Sequence, residues 1–232
     1  MKIGIMQPYL FPYIGYFQLI AICDGFVIHD DVQFIKAGWI NRNNFLFGEN
    51  PKLYTFSVKS DSYESLIKNR FFTENFEKEK AKFLNCLNQY YKKAPHFLEV
   101  SKLVEEIFKF ESKNVNEFVS NSIQLISKQL HLSTSFTKAS SLSISQLSSQ
   151  NKVIEIVQKL DGFEYYNMIG GVELYSKDVF AKNGITLKFV KPILKEYKQN
   201  KSTFSAGLSI IDVLMFNDDS QRAAILNSYE LI

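Results

Sequence analysis

Short apolar runs alternate with longer segments of mixed character along most of this chain, and the two patterns predict different elements. A short apolar run is typical of a buried strand, whereas apolar positions three or four residues apart are typical of a helix that buries one side. Strands are predicted at Lys2–Met6, Phe26–His29, Leu53–Val58, Ser135–Lys138, Tyr165–Met168 and Ile185–Val190. Helices are predicted at about Tyr13–Cys23, Ser148–Leu160, Glu173–Lys182 and Leu208–Phe216, and the polar stretch Trp39–Asn44 is predicted to be a loop.

The middle of the chain has the helical pattern alone. Apolar residues recur at helical spacing through Phe76–Tyr91, Phe97–Phe108 and Val115–Leu130, so three helices are predicted there. Strands that alternate with helices elsewhere imply an α/β fold with a mostly parallel, Rossmann-like sheet. We therefore predict an α/β core over residues 1–74 and 132–232, with a helical insertion or subdomain over residues 75–131.

Composition and charge narrow the function classes. The chain has 232 residues, 46% of them hydrophobic, with a net charge of +3 and no concentrated basic patch, so nucleic-acid binding is not expected. The cysteines, Cys23 and Cys86, do not form a disulfide pattern, which favours a reducing compartment. No apolar run is long enough for a membrane span, and the N-terminus leads directly into a strand. We expect a cytoplasmic protein without a membrane span.

Polar residues that follow predicted strands are the first candidates for chemistry, because ligands of parallel α/β sheets bind beyond the carboxyl ends of the strands. After the first strand come Gln7 and Tyr9, and then a glycine-bearing helix start with Tyr13, Gly15 and Tyr16. Free N–H groups at a helix start can bind phosphate, and a glycine lets a ligand approach closely. The alternative is aromatic packing, with Gly15 as a helix contact.

The spacing of Tyr13, Gly15 and Tyr16 resembles the His-x-Gly-His motif of HIGH-type nucleotidylyl transferases, which lies at the corresponding turn of their fold. Both histidines are tyrosines here. A tyrosine can donate a hydrogen bond to a phosphate oxygen but cannot carry a positive charge. The similarity is topological, and it makes a HIGH-like scaffold one form of the predicted fold.

The second strand ends in His29, Asp30 and Asp31. Histidine can act as a general base near neutral pH, and a carboxylate can orient it or bind a sugar hydroxyl, an amine or Mg²⁺. Successive strand residues point to opposite faces, so the two aspartates are not expected to act as one pair. The alternative is a strand-end cap in which Asp30 or Asp31 accepts backbone N–H groups.

The third group combines Lys36 with Trp39, Asn41, Arg42 and Asn43 of the predicted loop. A guanidinium, an ammonium and two amides near an indole suit a ligand that carries phosphate or sugar. The alternative is a surface loop with ordinary charges.

The fourth group, Tyr197 and Gln199, follows the last predicted strand. Ser209 and Asp212 lie nearby at helix-capping positions, which favours a structural role for that region. No metal site is expected, because the histidines and cysteines lack the spacing of metal ligands.

Together these blocks resemble the WbqC-like family of bacterial proteins. The similar stretches are Ile5-Met-Gln-Pro-Tyr9, Pro12-Tyr-Ile-Gly-Tyr-Phe17, Asp30-Asp-Val-Gln-Phe34, Lys36, Trp39-Ile-Asn-Arg-Asn43, Tyr90-Tyr91, Ala94-Pro95, Tyr197, Gln199, Phe204 and Leu208-Ser-Ile-Ile-Asp212. The resemblance implies a cytoplasmic protein associated with the synthesis of O-antigen and other surface polysaccharides. It adds Gln33 to the candidate binding residues, and it favours Asp30 and Asp31 over His29, a position at which the family more often has an aromatic or apolar residue.

The leading hypothesis is a transferase that passes an acyl or aminoacyl group to the amine of a nucleotide-linked sugar. In it Asp31 or Asp30 acts as base, and Lys36 and Arg42 hold phosphate. Trp39 or Tyr16 stacks on a ring, and Gln7 and Tyr9 position the acceptor. The donor would be an acyl-CoA or similar compound, and the identity of any cofactor is open. One alternative is nucleotidyl transfer or ATP-dependent ligation with Mg²⁺. The other is a non-catalytic protein that binds glycan or a partner enzyme. The oligomeric state is not predicted.

Overall fold

The structure is a computed structural model that describes residues 1–145 and 149–232. Its strands are β1 (Lys2–Met6), β2 (Gly25–Ile28), β3 (Arg42–Phe45), β4 (Lys52–Thr55), β5 (Ser135–Lys138), β6 (Glu164–Met168), β7 (Thr186–Pro192) and β8 (Tyr229–Leu231). Its helices are α1 (Ile14–Ile22), α2 (Phe76–Tyr91), α3 (Phe97–Phe108), α4 (Val115–Gln129), α5 (Ser149–Lys159), α6 (Lys177–Lys182), α7 (Ile210–Phe216) and α8 (Asp219–Leu226).

The central sheet of the described residues has the strand order β5-β2-β1-β6-β7-β8. Every neighbouring pair is parallel except β7 and β8, which are antiparallel. The chain moves from β1 outward to β2 and β5, and then returns to place β6 on the other side of β1. The predicted mostly parallel, Rossmann-like α/β sheet is confirmed, and its strand order reverses between β1 and β6.

Alternating strand residues divide the core between the two faces of the sheet. Ile3, Ile5 and Val27 pack with buried residues of α5 and α6 on one face. Phe26 and Ile28 belong to a larger apolar cluster on the other face, to which α1, α7 and α8 contribute. Since both faces are covered, the open positions for a ligand lie at the strand ends.

The larger cluster continues into the predicted three-helix segment and the hairpin β3–β4. Phe83 of α2 lies at its centre with no exposed surface, and six aromatic rings surround it at centroid distances of 4.9 to 6.0 Å. One of these rings belongs to Phe11, whose backbone has the left-handed φ of 44°. The assignment of residues 75–131 as a separate subdomain stays a prediction.

The chain departs from the predicted elements in several places. The predicted loop at Trp39–Asn44 contains the start of β3, where Asn43 and Phe45 are the buried alternate positions. The helix predicted at Glu173–Lys182 begins only at Lys177, because Ile169–Leu174 forms a separate 3₁₀ segment. The helix α8 and the antiparallel strand β8 were not predicted. The predicted helix start at Ser148 lies outside the described residues.

Candidate functional site

A cavity of about 730 Å³ lies at the carboxyl edge of the sheet, where the strand order reverses between β1 and β6. Gln7 after β1, His29 after β2 and Asn167 on β6 all line it. This is the position at which open α/β sheets bind ligands. The volume falls in the range of small-molecule sites. The cavity is therefore the candidate site of this fold.

The turn between β1 and α1 forms the first wall, with Gln7, Tyr9, Tyr13 and Tyr16 among its residues. The Tyr16 hydroxyl donates to the backbone oxygen of Gln7 at 3.2 Å, and the Tyr9 hydroxyl accepts from the N–H of Tyr13 at 3.1 Å. Burial raises the pKa of all three tyrosines, so their hydroxyls stay neutral at physiological pH. The wall offers aromatic surface and neutral polar groups.

Gly15 contributes to the first wall by leaving room for the ring of Tyr13. A Cβ at Gly15 would lie 2.5 Å from the ring carbon Cζ of Tyr13, because the Tyr13 ring folds back over the start of α1. The space that we expected a ligand to use is therefore taken by this ring. The packing alternative describes Gly15 better than direct ligand contact does.

The loop before β3 forms the second wall, through Ile35, Gly38, Trp39 and Ile40. Trp39 is 53% exposed at the mouth of the cavity. The Nε of Arg42 donates to the backbone oxygen of Gly38 at 2.8 Å, which holds the loop and places the guanidinium beside the cavity wall. Lys36 is exposed on the same loop and is not a lining residue.

Asn43 joins the first two walls. Its Nδ2 donates to the backbone oxygens of Leu10 and Phe11, and its Oδ1 accepts from the N–H of Asn44. The side chain of Asn41 donates to the backbone oxygen of Phe56. Both predicted binding residues thus satisfy backbone groups, although Asn43 also borders the cavity.

The third wall comes from the end of β6 and the 3₁₀ segment after it, and sequence reasoning did not single it out. It contributes Asn167, Gly170, Gly171, Leu174 and Tyr175. A Cβ at Gly171 would lie 2.5 Å from the Nδ2 of Asn167, so the glycine makes room for this amide. The available signal was the Gly-Gly pair directly after a strand, in the same position as the turn that follows β1.

The lining is neutral. None of the lining residues in the described part of the chain is a lysine, arginine, aspartate or glutamate. Aromatic rings, aliphatic side chains and amides make up most of it, and His29 contributes an imidazole, a side chain that can serve as a general acid or base. Ring stacking and hydrogen bonds, rather than ion pairs, are therefore the contacts that the cavity provides.

His29 is the first member of a line of three ionisable side chains. Its Nε2 lies 3.6 Å from Oδ1 of Asp31, and that oxygen lies 2.7 Å from Nζ of Lys152 on α5. All three side chains are less than one-fifth exposed. Burial, followed by the charge of Lys152, lowers the pKa of His29 to about 4, so the imidazole is neutral at physiological pH. Sequence reasoning missed Lys152, which is far from His29 along the chain.

Asp30 points away from this line and is buried. Its Oδ2 accepts from Nδ2 of Asn116 at 2.9 Å and from Oγ of Ser140 at 2.6 Å, and its Oδ1 accepts from the N–H of Ser140 at 2.9 Å. These contacts tie β2 to α4 and to the segment after β5. The cap alternative fits Asp30, and we assign it no part in chemistry.

Tyr197 and Gln199 lie apart from the cavity lining and bind Asp212 instead. The Tyr197 hydroxyl and the Gln199 Nε2 each donate to Oδ2 of Asp212 at 2.7 Å, and the Tyr91 hydroxyl donates to Oδ1 at 2.9 Å. Burial raises the pKa of this carboxyl. The cluster anchors the loop that brings Gly207 to the cavity.

Gln33 also lies apart from the lining, since its Nε2 donates to the backbone oxygen of Tyr63 at 2.7 Å.

In the described residues, no group of three histidine, cysteine, aspartate or glutamate side chains is placed to hold a metal ion. Across the same residues, none of the helices combines the length and apolar character needed to cross a membrane.

Comparisons with known proteins support the whole-chain resemblance. The family model described as WbqC-like protein family matches residues 7–224. A protein of Mycobacterium tuberculosis (strain ATCC 25618 / H37Rv) named "Uncharacterized protein Rv1507c" is 26% identical over 226 residues, and the match covers 93% of each chain. No solved structure matches significantly.

Proposed function

The chain belongs to the WbqC-like protein family, and we propose that it is a transferase of surface polysaccharide synthesis that acylates or aminoacylates the amine of a nucleotide-linked sugar. The observation that supports this is the neutral, aromatic cavity at the strand-order reversal, with an uncharged imidazole in its wall. We place the reaction in the cytoplasm, where nucleotide-linked sugars are made.

Aromatic walls suit the sugar. The apolar face of a sugar ring packs on aromatic rings, which supply large contact area with little loss of side-chain freedom. Tyr9, Tyr13 and Trp39 offer such surfaces, and the amides of Gln7 and Asn167 offer polar contacts for hydroxyl groups. Sugar in this position would have its amine within the cavity, near His29.

The nucleotide diphosphate would lie at the mouth of the cavity rather than inside it. Lys36 is exposed on the loop of the second wall, and the Arg42 guanidinium is held beside Gly38. Both side chains can meet phosphate oxygens from the solvent side, where a charged group keeps its hydration.

His29 replaces Asp31 as the proposed base. Asp31 is paired with Lys152, whereas the neutral imidazole of His29 borders the cavity. The amine nitrogen attacks the acyl carbonyl carbon, the new C–N bond forms, and the bond from that carbon to the sulfur or oxygen of the donor breaks. As the C–N bond forms, the nitrogen becomes positively charged and its proton acidic; His29 takes this proton and delivers it to the departing sulfur or oxygen. A low pKa makes the protonated imidazole a strong acid for this second step.

The test is a binding and turnover assay on the intact chain with nucleotide-linked amino sugars, acyl-CoA and free glycans. A micromolar ligand at millimolar concentration should stabilise the fold by a few kcal/mol, visible as a rise in Tm. The H29Q variant should keep binding and lose formation of the acylated sugar in mass spectrometry, and H131N, at an exposed histidine, is the matched control. No response to any nucleotide-linked sugar, or full turnover in H29Q, would refute the proposal.

A second candidate is nucleotidyl transfer on a HIGH-like scaffold. It is supported by the position of Tyr13 and Tyr16, which face the cavity from the start of α1 at the strand-order reversal. It predicts release of pyrophosphate from ATP or CTP in the presence of Mg²⁺ and a candidate acceptor.

A non-catalytic glycan-binding role is supported by the exposed Trp39 and predicts binding of free glycan without turnover.

A further inference from the structure

Lys152 is tied to the cavity through Asp31, although it does not line the cavity. Its Nζ lies 2.7 Å from Oδ1 of Asp31 and 3.3 Å from the backbone oxygen of the same residue. The side chain is only 14% exposed. Contacts from one ammonium group to both the carboxylate and the backbone of Asp31 fix the segment that directly follows His29.

The fold determines where Lys152 points. Val153, Ile156 and Val157 of α5 are buried against the sheet, which fixes the rotation of this helix. Lys152 precedes this buried stripe, at the end of α5 nearer the carboxyl edge of the sheet. A long, flexible side chain loses conformational freedom on burial, so its ordered position needs a compensating interaction. The ion pair with Asp31 supplies it.

We propose that Lys152 is a positioning residue for His29: it holds the Asp31 carboxylate 3.6 Å from Nε2 of the imidazole and offsets the negative charge of that carboxylate at the ring. The catalytic meaning of this arrangement rests on the proposed function, whereas the arrangement itself rests on the contacts of three side chains.

The charges around His29 agree with this assignment. Burial and Lys152 lower the pKa of the imidazole, whereas Asp31 and Asp30 act in the opposite direction. The other titratable groups on the cavity wall are tyrosines, and burial raises the pKa of each: Tyr9, Tyr13, Tyr16 and Tyr175. They remain uncharged through the neutral range, so Asp31 and Lys152 are the charged groups nearest the ring among the described residues, while Asp30 points away and acts from farther off.

The experiment is an NMR titration of His29 without any substrate. The chain has three histidines, and the H96Q/H131N background leaves His29 as the single imidazole signal. Asparagine is chosen at position 131 because the backbone there has φ of 58°, which asparagine tolerates. K152M, K152R and D31N are compared in this background, and K159M is the control, since Lys159 lies on the same helix in a more exposed pair with Glu155.

The K152M change should raise the titration midpoint of His29 by about 1 pH unit or more, because the opposite charge of Asp31 is then no longer offset. K152R and K159M should titrate like the background. In D31N the midpoint should fall, because the charge that favours the imidazolium is removed; an unchanged midpoint there would count against the assignment, so D31N provides a second test if K152M does not fold. An unchanged midpoint in folded K152M, an equal shift in K159M, or a rise in D31N would overturn the assignment. Failure to find a sugar substrate would refute the proposed function and leave this titration intact.

Discussion

Asp30 and Asp31 are adjacent in the chain, and replacing each by asparagine should separate support of the fold from action at the cavity. Asp30 accepts three hydrogen bonds in a buried position, from Asn116 and from two groups of Ser140. A hydrogen bond to a charged group contributes about 1.5–3 kcal/mol, and one between neutral groups about 0.5–1.5 kcal/mol. The loss is roughly 1 kcal/mol for each bond, partly offset because a buried charge is removed, so D30N should cost about 2–3 kcal/mol.

The D31N variant should lose about 1 kcal/mol, because the backbone oxygen of residue 31 still accepts from Lys152 and the asparagine oxygen stays beside the same ammonium group. Urea unfolding followed by far-UV circular dichroism measures both values, with equal m values as the check that the unfolded states are comparable. For a chain of this length, 2–3 kcal/mol corresponds to a Tm lower by about 4–12 °C. D30N with parental stability, or D31N less stable than D30N, would refute the assignment of Asp30 to the fold and Asp31 to the site.

Further predictions address the core, the buried carboxyl and the third wall. F83A should destabilise the fold by about 5 kcal/mol in urea unfolding, the upper end for a phenylalanine-to-alanine change, because six rings lose a neighbour; a loss below about 2 kcal/mol would contradict this. The raised pKa of Asp212 means that its contribution to stability is greatest below about pH 4 and falls as pH rises through the folded-state pKa. The difference in free energy of unfolding between the parent and D212N should therefore shrink as pH rises over that range. A difference that grows with pH would contradict the raised pKa of Asp212. G171A should displace the Asn167 amide and weaken the binding of a nucleotide-linked amino sugar at least tenfold in calorimetry, with little change in Tm. G170A, where a Cβ has open space, should bind this ligand like the parent.

The strands of the parallel sheet could be predicted from the sequence because each corresponds to a short local run of residues. Lys2–Met6 is an apolar run that the structure assigns as β1 with the same bounds, and Ser135–Lys138 likewise became β5. The strand β3 was missed because its residues Arg-Asn-Asn-Phe are mostly polar. Its buried amide, Asn43, is accommodated by carbonyl groups of the first turn, a tertiary interaction that a propensity cannot represent.

The candidate site could be predicted from the sequence only in part, because some of its contacts join residues that are far apart along the chain. Residues near the ends of the first two strands were identified, because the strand-end rule needs only the strands. Lys152 reaches Asp31 across 121 positions of sequence separation, and no local pattern connects them. The left-handed backbone of Phe11 cannot be predicted from the sequence either, since the contacts that hold this residue come from Phe83, Asn43 and Ser209, which are distant along the chain.

The polar residues that stand out in the sequence and the surface that meets a ligand are largely different sets. Asp30, Asn41, Asn43 and Gln199 direct their polar atoms to backbone groups or to other buried side chains. They position three loops around the strand-order reversal, and those loops present rings, aliphatic groups and amides to the cavity. A ligand held in such a cavity is recognised by shape and stacking.

A chemical step there depends on very few ionisable groups. His29 supplies the imidazole of the cavity lining, and its neighbours Asp31 and Lys152 carry opposite charges that largely offset each other. In a neutral cavity an uncompensated charge would act strongly, because few polar groups are present to screen it. Burial does most to lower the pKa of His29, and the charge of Lys152 lowers it further from behind Asp31, where the lysine adds no charged group to the cavity lining. Under the proposed function, the imidazole is therefore uncharged when the substrate binds and free to take up its proton.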